Sequence, residues 1–186
     1  DWNGLNILTQ NASTAGLLDL NILQNQNEKT SSFFDGLNNK KFKLLYLLGS
    51  DNLDFQKDNE FIVYQGSHGD RGAEIADIVL PSATYTEQNG LYQNLEGRAQ
   101  ECNKASYPIG EALEDWKIFN RILKKLSHQN KTSNFDELRK EVFKLIPNFH
   151  GINELPKQLE TKKSFQKTNF FSEKILIREL DYYYTN

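Results

Sequence analysis

Methionine is absent from the 186 residues, cysteine is confined to Cys102, and proline occurs four times. A single cysteine closes no internal disulfide, and it supplies one of the four thiolates that a four-cysteine zinc or iron–sulfur site requires. Neither framework can therefore be built from this chain alone. Long apolar runs are missing as well. The longest, Leu44 to Leu48, falls far short of the roughly 20 residues that cross a bilayer as a helix and suits a buried strand. Positive charge is not in excess: 22 basic against 25 acidic side chains leave a formal net charge of -3. That balance gives no general attraction for phosphate backbones or anionic lipid, which excludes nucleic acid as an expected partner. The opening Asp1-Trp2-Asn3-Gly4 has neither the basic region nor the apolar core of a targeting peptide. Without a methionine, the chain is expected not to include its own initiator.

With 38% hydrophobic residues, the chain can bury one sizeable core, so one domain with appendages is expected. Trp2, Leu5, Leu8, Ala12 and Ala15 recur at three and four, the spacing of an amphipathic helix that ends near Gly16. The polar stretch from Asn21 to Lys41 reads as a surface connection, anchored by Phe33-Phe34-Asp35-Gly36-Leu37. Phe42 to Gly49 is a short, nearly continuous apolar run closed by glycine, as in a parallel strand buried on both faces. Phe61 to Tyr64 and Asp77 to Leu80 follow as a second and third strand, and Pro81 stops the third because it lacks a ladder donor. Strands alternating with loops and short helices give the α/β class, with an open, mostly parallel sheet.

Beyond Ala99 the pattern turns helical. Leu113, Trp116, Phe119, Ile122, Leu123 and Leu126 form one stripe of a helix from about Glu111 to His128. A second helix has Asn134 as N-cap and Glu137 as its capping-box partner. Phe135, Leu138, Val142, Leu145 and Ile146 lie on its inner face, and Pro147 is its stop. From residue 148 the chain is polar, with scattered anchors at Phe149, Leu155, Leu159, Phe165, Phe170 and Phe171. Such a tail cannot offset its own backbone entropy and is expected to dock on another surface. The expected organisation is a body over residues 1–147 and a docking tail over residues 148–186.

The conspicuous candidate for chemistry is Gln65-Gly66-Ser67-His68-Gly69-Asp70-Arg71-Gly72, a glycine-rich loop after a strand. Ligands of open α/β sheets bind at that edge. Its spacing matches neither G-x-G-x-x-G nor a G-K-[ST] loop, and Ser67, His68 and Asp70 on one loop suit turn chemistry better than a triad assembled from separate elements. His68, His128 and His150 are too far apart in sequence for a metal site. Glu74, Asp77, Glu87 and Glu96 would have to converge in a cleft to do acid–base work, and salt bridges or caps are expected of them.

One longer string differs in kind: Ala76-Asp77-Ile78-Val79-Leu80-Pro81, then Ala83-Thr84, Glu87, Gly90, Asn94, Glu96-Gly97-Arg98 and Gln100. It reads as a strand, a stop, a polar turn through Glu87 to Gly90, and a tight bend in which Arg98 braces carbonyls or a carboxylate. It also resembles the molybdopterin-oxidoreductase superfamily. Together with Tyr64-Gln65-Gly66, His68-Gly69-Asp70, Gly72-Ala73 and Glu114-Asp115-Trp116-Lys117-Ile118, it is similar to the family of the large iron–sulfur subunit of respiratory complex I. Leu47-Leu48-Gly49-Ser50-Asp51 and the closing Asp181-Tyr182-Tyr183-Tyr184-Thr185-Asn186 support the likeness.

The resemblance implies the C-terminal part of a molybdopterin-oxidoreductase-like domain, in a family that keeps this fold without its cofactor. It implies no catalytic, cofactor-binding or metal residues in this chain, and iron–sulfur clusters in a partner chain that carries the N-terminal part of a split subunit. The expected role is structural, alongside other peripheral-arm subunits on the matrix side of the mitochondrial inner membrane. The composition, rich in Asn, Lys, Phe, Tyr, Ile and Leu as AT-rich genomes impose, fits an organelle-encoded gene, as it would an AT-rich nuclear genome. Two other readings stay open: an oxidoreductase domain retaining a pterin or nucleotide site at His68 to Gly72, and an interaction module unrelated to respiration.

Overall fold

A computed structural model describes residues 9, 11–22, 33–50, 55–127, 132–146 and 151–154. Its helices include α1 (Thr14–Asp19), α2 (Arg71–Ile75), α3 (Asp115–Ser127) and α4 (Phe135–Leu145), and residues 33–38 are helical as well. At the centre is a three-stranded parallel sheet in the order β1 (Leu44–Leu48), β2 (Phe61–Gly66) and β3 (Ile78–Pro81). Leu44 pairs with Phe61, and Val63 pairs with Ile78. The apolar run of β1 and the β-branched Ile62-Val63 of β2 suit pleated positions, but β1 is not buried on both faces as expected, since Leu44 and Leu48 are exposed. Leu45, Leu47, Ile62 and Tyr64 point to one face and are buried there with Phe55. Phe33, Leu37 and Phe42 pack on that face, as do Ala73 and Ile75 of α2 and Ala76 just after it.

Strands β4 (Gly90–Gln93) and β5 (Ala99–Cys102) form a separate antiparallel pair. The loop between them is held by Asn94, whose Oδ1 accepts from the amides of Glu96 (3.0 Å) and Arg98 (2.9 Å), while Gly97 takes a φ of 82°. A second small core gathers Ala99 and Ile146 with Leu20, Val142 and Phe143 around this pair. Three further links stitch it together. Gln93 Nε2 donates to Asp19 Oδ2 (2.5 Å), Arg139 reaches both carboxylate oxygens of Glu101 (3.1 Å each), and Asn153 N donates to Ala99 O (2.7 Å).

The three expected strands and both late helices are present. Asn134 caps α4 as its sequence indicates, accepting from Glu137 N at 2.9 Å; the Glu137 carboxylate reaches Ser133 N (2.7 Å) instead of the cap's own amide. Several details differ. Beyond Ala99, where helix was expected, Ala99–Cys102 form β5 and helix α3 begins only at Asp115. Leu145, expected on the inner face of α4, is exposed. Gly16 lies inside α1 and does not end it, because the turn at Asn11 to Ser13 delays the helix start to Thr14 and the left-handed Asn21 (φ 57°) follows its end. Leu113, expected on the α3 stripe, instead forms a parallel bridge with Ser82, donating to Pro81 O at 3.2 Å and accepting from Ala83 N at 2.9 Å. Among the described residues the apolar side chains form two clusters where one was expected. Trp2, Leu5, Leu8, His128, Phe149, His150 and the tail anchors from Leu155 onward lie outside the described residues.

Candidate functional site

Because β1, β2 and β3 run parallel, their C-terminal ends open on one edge, and a cleft of about 450 Å³ lies there. Leu48 and Gly49 carry β1 into its wall, Gly66 to His68 carry β2, and Ser82 to Tyr85 follow β3. Ser13, Gln88 and Asp115 complete it. This is the position at which open α/β sheets bind ligands, so the sequence placed the candidate loop correctly.

The floor is a closed hydrogen-bond network. Tyr46 Oη donates to Gln65 Oε1, and Gln65 Nε2 donates to Asp115 Oδ1 at 2.6 Å. Gln88 Nε2 donates to Asp115 Oδ2 (3.0 Å) and to Ala83 O (3.2 Å), while Asp115 N donates back to Gln88 Oε1 (3.1 Å). Gln65 is fully enclosed, so its amide must be paired within the protein. Burial, seconded by the Asp115 charge, pushes the Tyr46 phenol above its ordinary pKa and keeps it a donor. Asp115 also opens α3, where its charge complements the helix dipole.

Gly66 has an internal cause. A Cβ there would meet Tyr64 Oη at 2.2 Å, because the enclosed Tyr64 ring lies across it and donates to His68 O at 3.0 Å. On the rim, Ser67 Oγ and His68 Nδ1 are 2.9 Å apart and exposed. Asp70 stands at the start of α2 and does not line the cleft. The structure thus brings Ser67 and His68 together at the cleft and leaves the loop's carboxylate outside it.

The other candidate carboxylates are dispersed. Asp77 bonds Lys57 Nζ (2.6 Å) and Ile62 N (2.8 Å), Glu74 pairs with Arg71 (3.8 Å), Glu87 accepts from Thr84 N (3.2 Å), and Glu96 bonds Asn94 (3.4 Å). Arg98 does not brace a partner as expected through its Nε, which is buried without a hydrogen bond among the described residues. Gln93 Oε1 shares that condition, and neither residue lines the cleft. Cys102 lies on β5 and also outside the lining. Among the described residues, no three His, Cys, Asp or Glu side chains gather as a metal site would need.

Sequence reasoning did not find Gln65, Gln88 and Asp115 as a network. It also did not find Glu114, which is buried beside α3 and accepts from Trp116 Nε1 (2.8 Å), Lys117 Nζ (3.0 Å) and Lys104 Nζ (3.4 Å). Burial pushes the Glu114 carboxyl up, but the Trp116 and Lys117 bonds and both lysine charges outweigh it and hold the pKa below its ordinary value. The available signal was the Glu114-Asp115-Trp116-Lys117 run itself. Trp116 and Lys117 following Glu114 at a helix start give that carboxylate near partners, whereas Asp115 finds its own at Gln65 and Gln88 far along the chain.

Residues 1–125 match the family model described as molybdopterin oxidoreductase. A subunit of the NADH-quinone oxidoreductase of Rickettsia bellii is 41% identical over 189 aligned residues, which take in 100% of this chain and 26% of that protein. The NADH-ubiquinone oxidoreductase 75 kDa subunit of Reclinomonas americana is 38% identical over 84% of this chain and 22% of its own length. The NADH dehydrogenase [ubiquinone] iron-sulfur protein 1, mitochondrial, of Solanum tuberosum is 35% identical over 83% of this chain and 20% of its own. The chain spans about a quarter of the curated relatives it matches. With the parallel sheet, the cleft at its strand ends and a family match over residues 1–125, the chain belongs to the molybdopterin oxidoreductase family.

Proposed function

We propose that this chain is a non-catalytic, structural portion of the large iron–sulfur subunit of complex I, supporting electron transfer from NADH to quinone through clusters held elsewhere. The observation that carries the reading is the likeness to the Rickettsia bellii oxidoreductase subunit along 100% of the chain. The closed floor of the cleft supports it: Gln65, Gln88 and Asp115 spend their polar groups on one another and present no buried orphan to a pterin-type cofactor. In this reading the cleft is a packing feature, and the iron–sulfur clusters belong to a partner chain that holds the rest of a divided subunit. Residues 1–147 are the body and residues 148–186 the docking tail. The matrix side of the mitochondrial inner membrane is the proposed location, in keeping with relatives named as mitochondrial.

The test is affinity purification of the tagged chain from its native cells. Co-migration with NADH dehydrogenase activity on a native gel, with iron but no pterin mapping to the complex, is the expected result. Deleting the chain from Phe165 onward should reduce its recovery with the complex several-fold, and full recovery would overturn the docking role of the tail. The size of the cleft, about 450 Å³, favours one other reading, a retained pterin or nucleotide site. A pterin or nucleotide released on denaturing the purified chain would establish that reading instead.

A further inference from the structure

Both crossovers of the parallel sheet lie on one side. Phe55, from the β1–β2 connection, and Ala73, Ile75 and Ala76, from the β2–β3 connection, all pack against the face of Leu45, Leu47, Ile62 and Tyr64. That is what two adjacent parallel strand steps of the same hand require. It leaves the opposite face, formed by Leu44, Tyr46 and Leu48 of β1, Phe61 and Val63 of β2 and Ile78 of β3, without a crossover of its own.

Among the described residues, the cover on that face is α3. Its first turns sit over the C-terminal end, where Asp115 bonds Gln65 and Phe119 stacks on Tyr46 with ring centroids 5.7 Å apart. The N-terminal end is open: Leu44 is 58% exposed, Phe61 43% and Ile78 45%. The stripe of α3 continues past Phe119 through Leu123 and Leu126 at helical spacing, and both are exposed. Purely parallel sheets are covered on both faces, and the second face is filled by helices that connect strands wound in the other direction. This chain has no described strands wound that way, and the relatives it matches are about four times as long.

We propose that the open half of this face, beside α3, seats an amphipathic helix from the remaining part of the same family subunit. Its apolar stripe would lie between Leu44, Phe61 and Ile78 on the sheet and Leu123 and Leu126 on the helix. The inference rests on the complex I reading and specifies which surface the rest of the subunit meets.

The experiment places a photo-crosslinking amino acid at Phe61, at Leu126 and, as a control, at the exposed Tyr107, whose ring lies against Lys104 on the segment after β5. Each variant is expressed in its native cells and the intact complex is purified before irradiation and peptide mapping. Positions 61 and 126 should crosslink to one helical segment of the remaining subunit, and position 107 should not. Crosslinks from 61 and 126 to a second copy of this chain, to another protein, to the chain's own tail, or to nothing would each overturn the proposal. A companion variant, Phe61→Lys, should lower recovery of the complex several-fold while Tyr107→Lys leaves it unchanged; equal recovery would also overturn it. If the unaltered chain is missing from the complex, the functional reading fails. If the chain is present and position 61 crosslinks elsewhere, the docking proposal alone fails.

Discussion

Asp77 replaces a piece of backbone. Its Oδ2 accepts from Ile62 N at 2.8 Å while its own amide donates to Ile62 O at 2.8 Å, closing a ring at the start of β3. The Lys57 ammonium on Oδ1 and then the Ile62 amide hold its carboxyl below the ordinary value of 3.8. Glu114 is held below 4.5 as well, its burial outweighed by Trp116 and the two lysines. A lowered folded-state pKa contributes stability that is fully present above the unfolded value and is lost as pH falls through the folded one. Urea unfolding should therefore show stability level from neutrality down to about pH 5 and falling below about pH 4, where unfolded carboxylates take up protons first. Asp77→Asn should be less stable than the parent at pH 7, with the gap narrowing toward pH 3. A gap independent of pH would mean that the charge of Asp77 does not matter.

Elements formed by local chemistry were legible in the sequence. Helix α4 was read almost to the residue because Asn134 and Pro147 mark its ends in the sequence, although its inner side chains pack on Ala99 and Leu20 from distant parts of the chain. Strand β1 was equally plain. Strands β4 and β5 were not read, since Gly-Leu-Tyr-Gln and Ala-Gln-Glu-Cys carry little alternation and owe their pairing to each other across the Asn94 loop. The candidate loop at Gln65 to Gly72 was found through its glycines, yet its meaning depends on Asp115, 50 residues away. Asp115 is the joint between β2, α3 and the turn at Gln88, so Asp115→Ala should leave the enclosed Gln65 amide without its acceptor and reduce Gln88 Nε2 to Ala83 O alone. The expected loss is about 1–3 kcal/mol in chemical denaturation, the cost of one buried polar group left unpaired. Asp115→Asn, which can still serve one of the two amides, should lose less. Equal losses would show that the network is not the source.

The molecule as a whole is covered unevenly. One face of its sheet carries a core, the other exposes Leu44, Phe61 and Ile78, and α3 adds the exposed Leu123 and Leu126. Exposed apolar side chains of that kind drive association. Sedimentation of the chain expressed without partners should show concentration-dependent self-association, reduced by the pair Phe61→Lys and Leu126→Lys; a strict monomer at all concentrations would argue against a sticky face. The network under the cleft also bears on synthesis. Residue 115 leaves the ribosome 50 residues after residue 65, a delay of about 3–10 s at ordinary translation rates. Throughout that interval water stands in for Asp115 at the Gln65 amide, and the network under the cleft closes only once the second half of the chain has emerged.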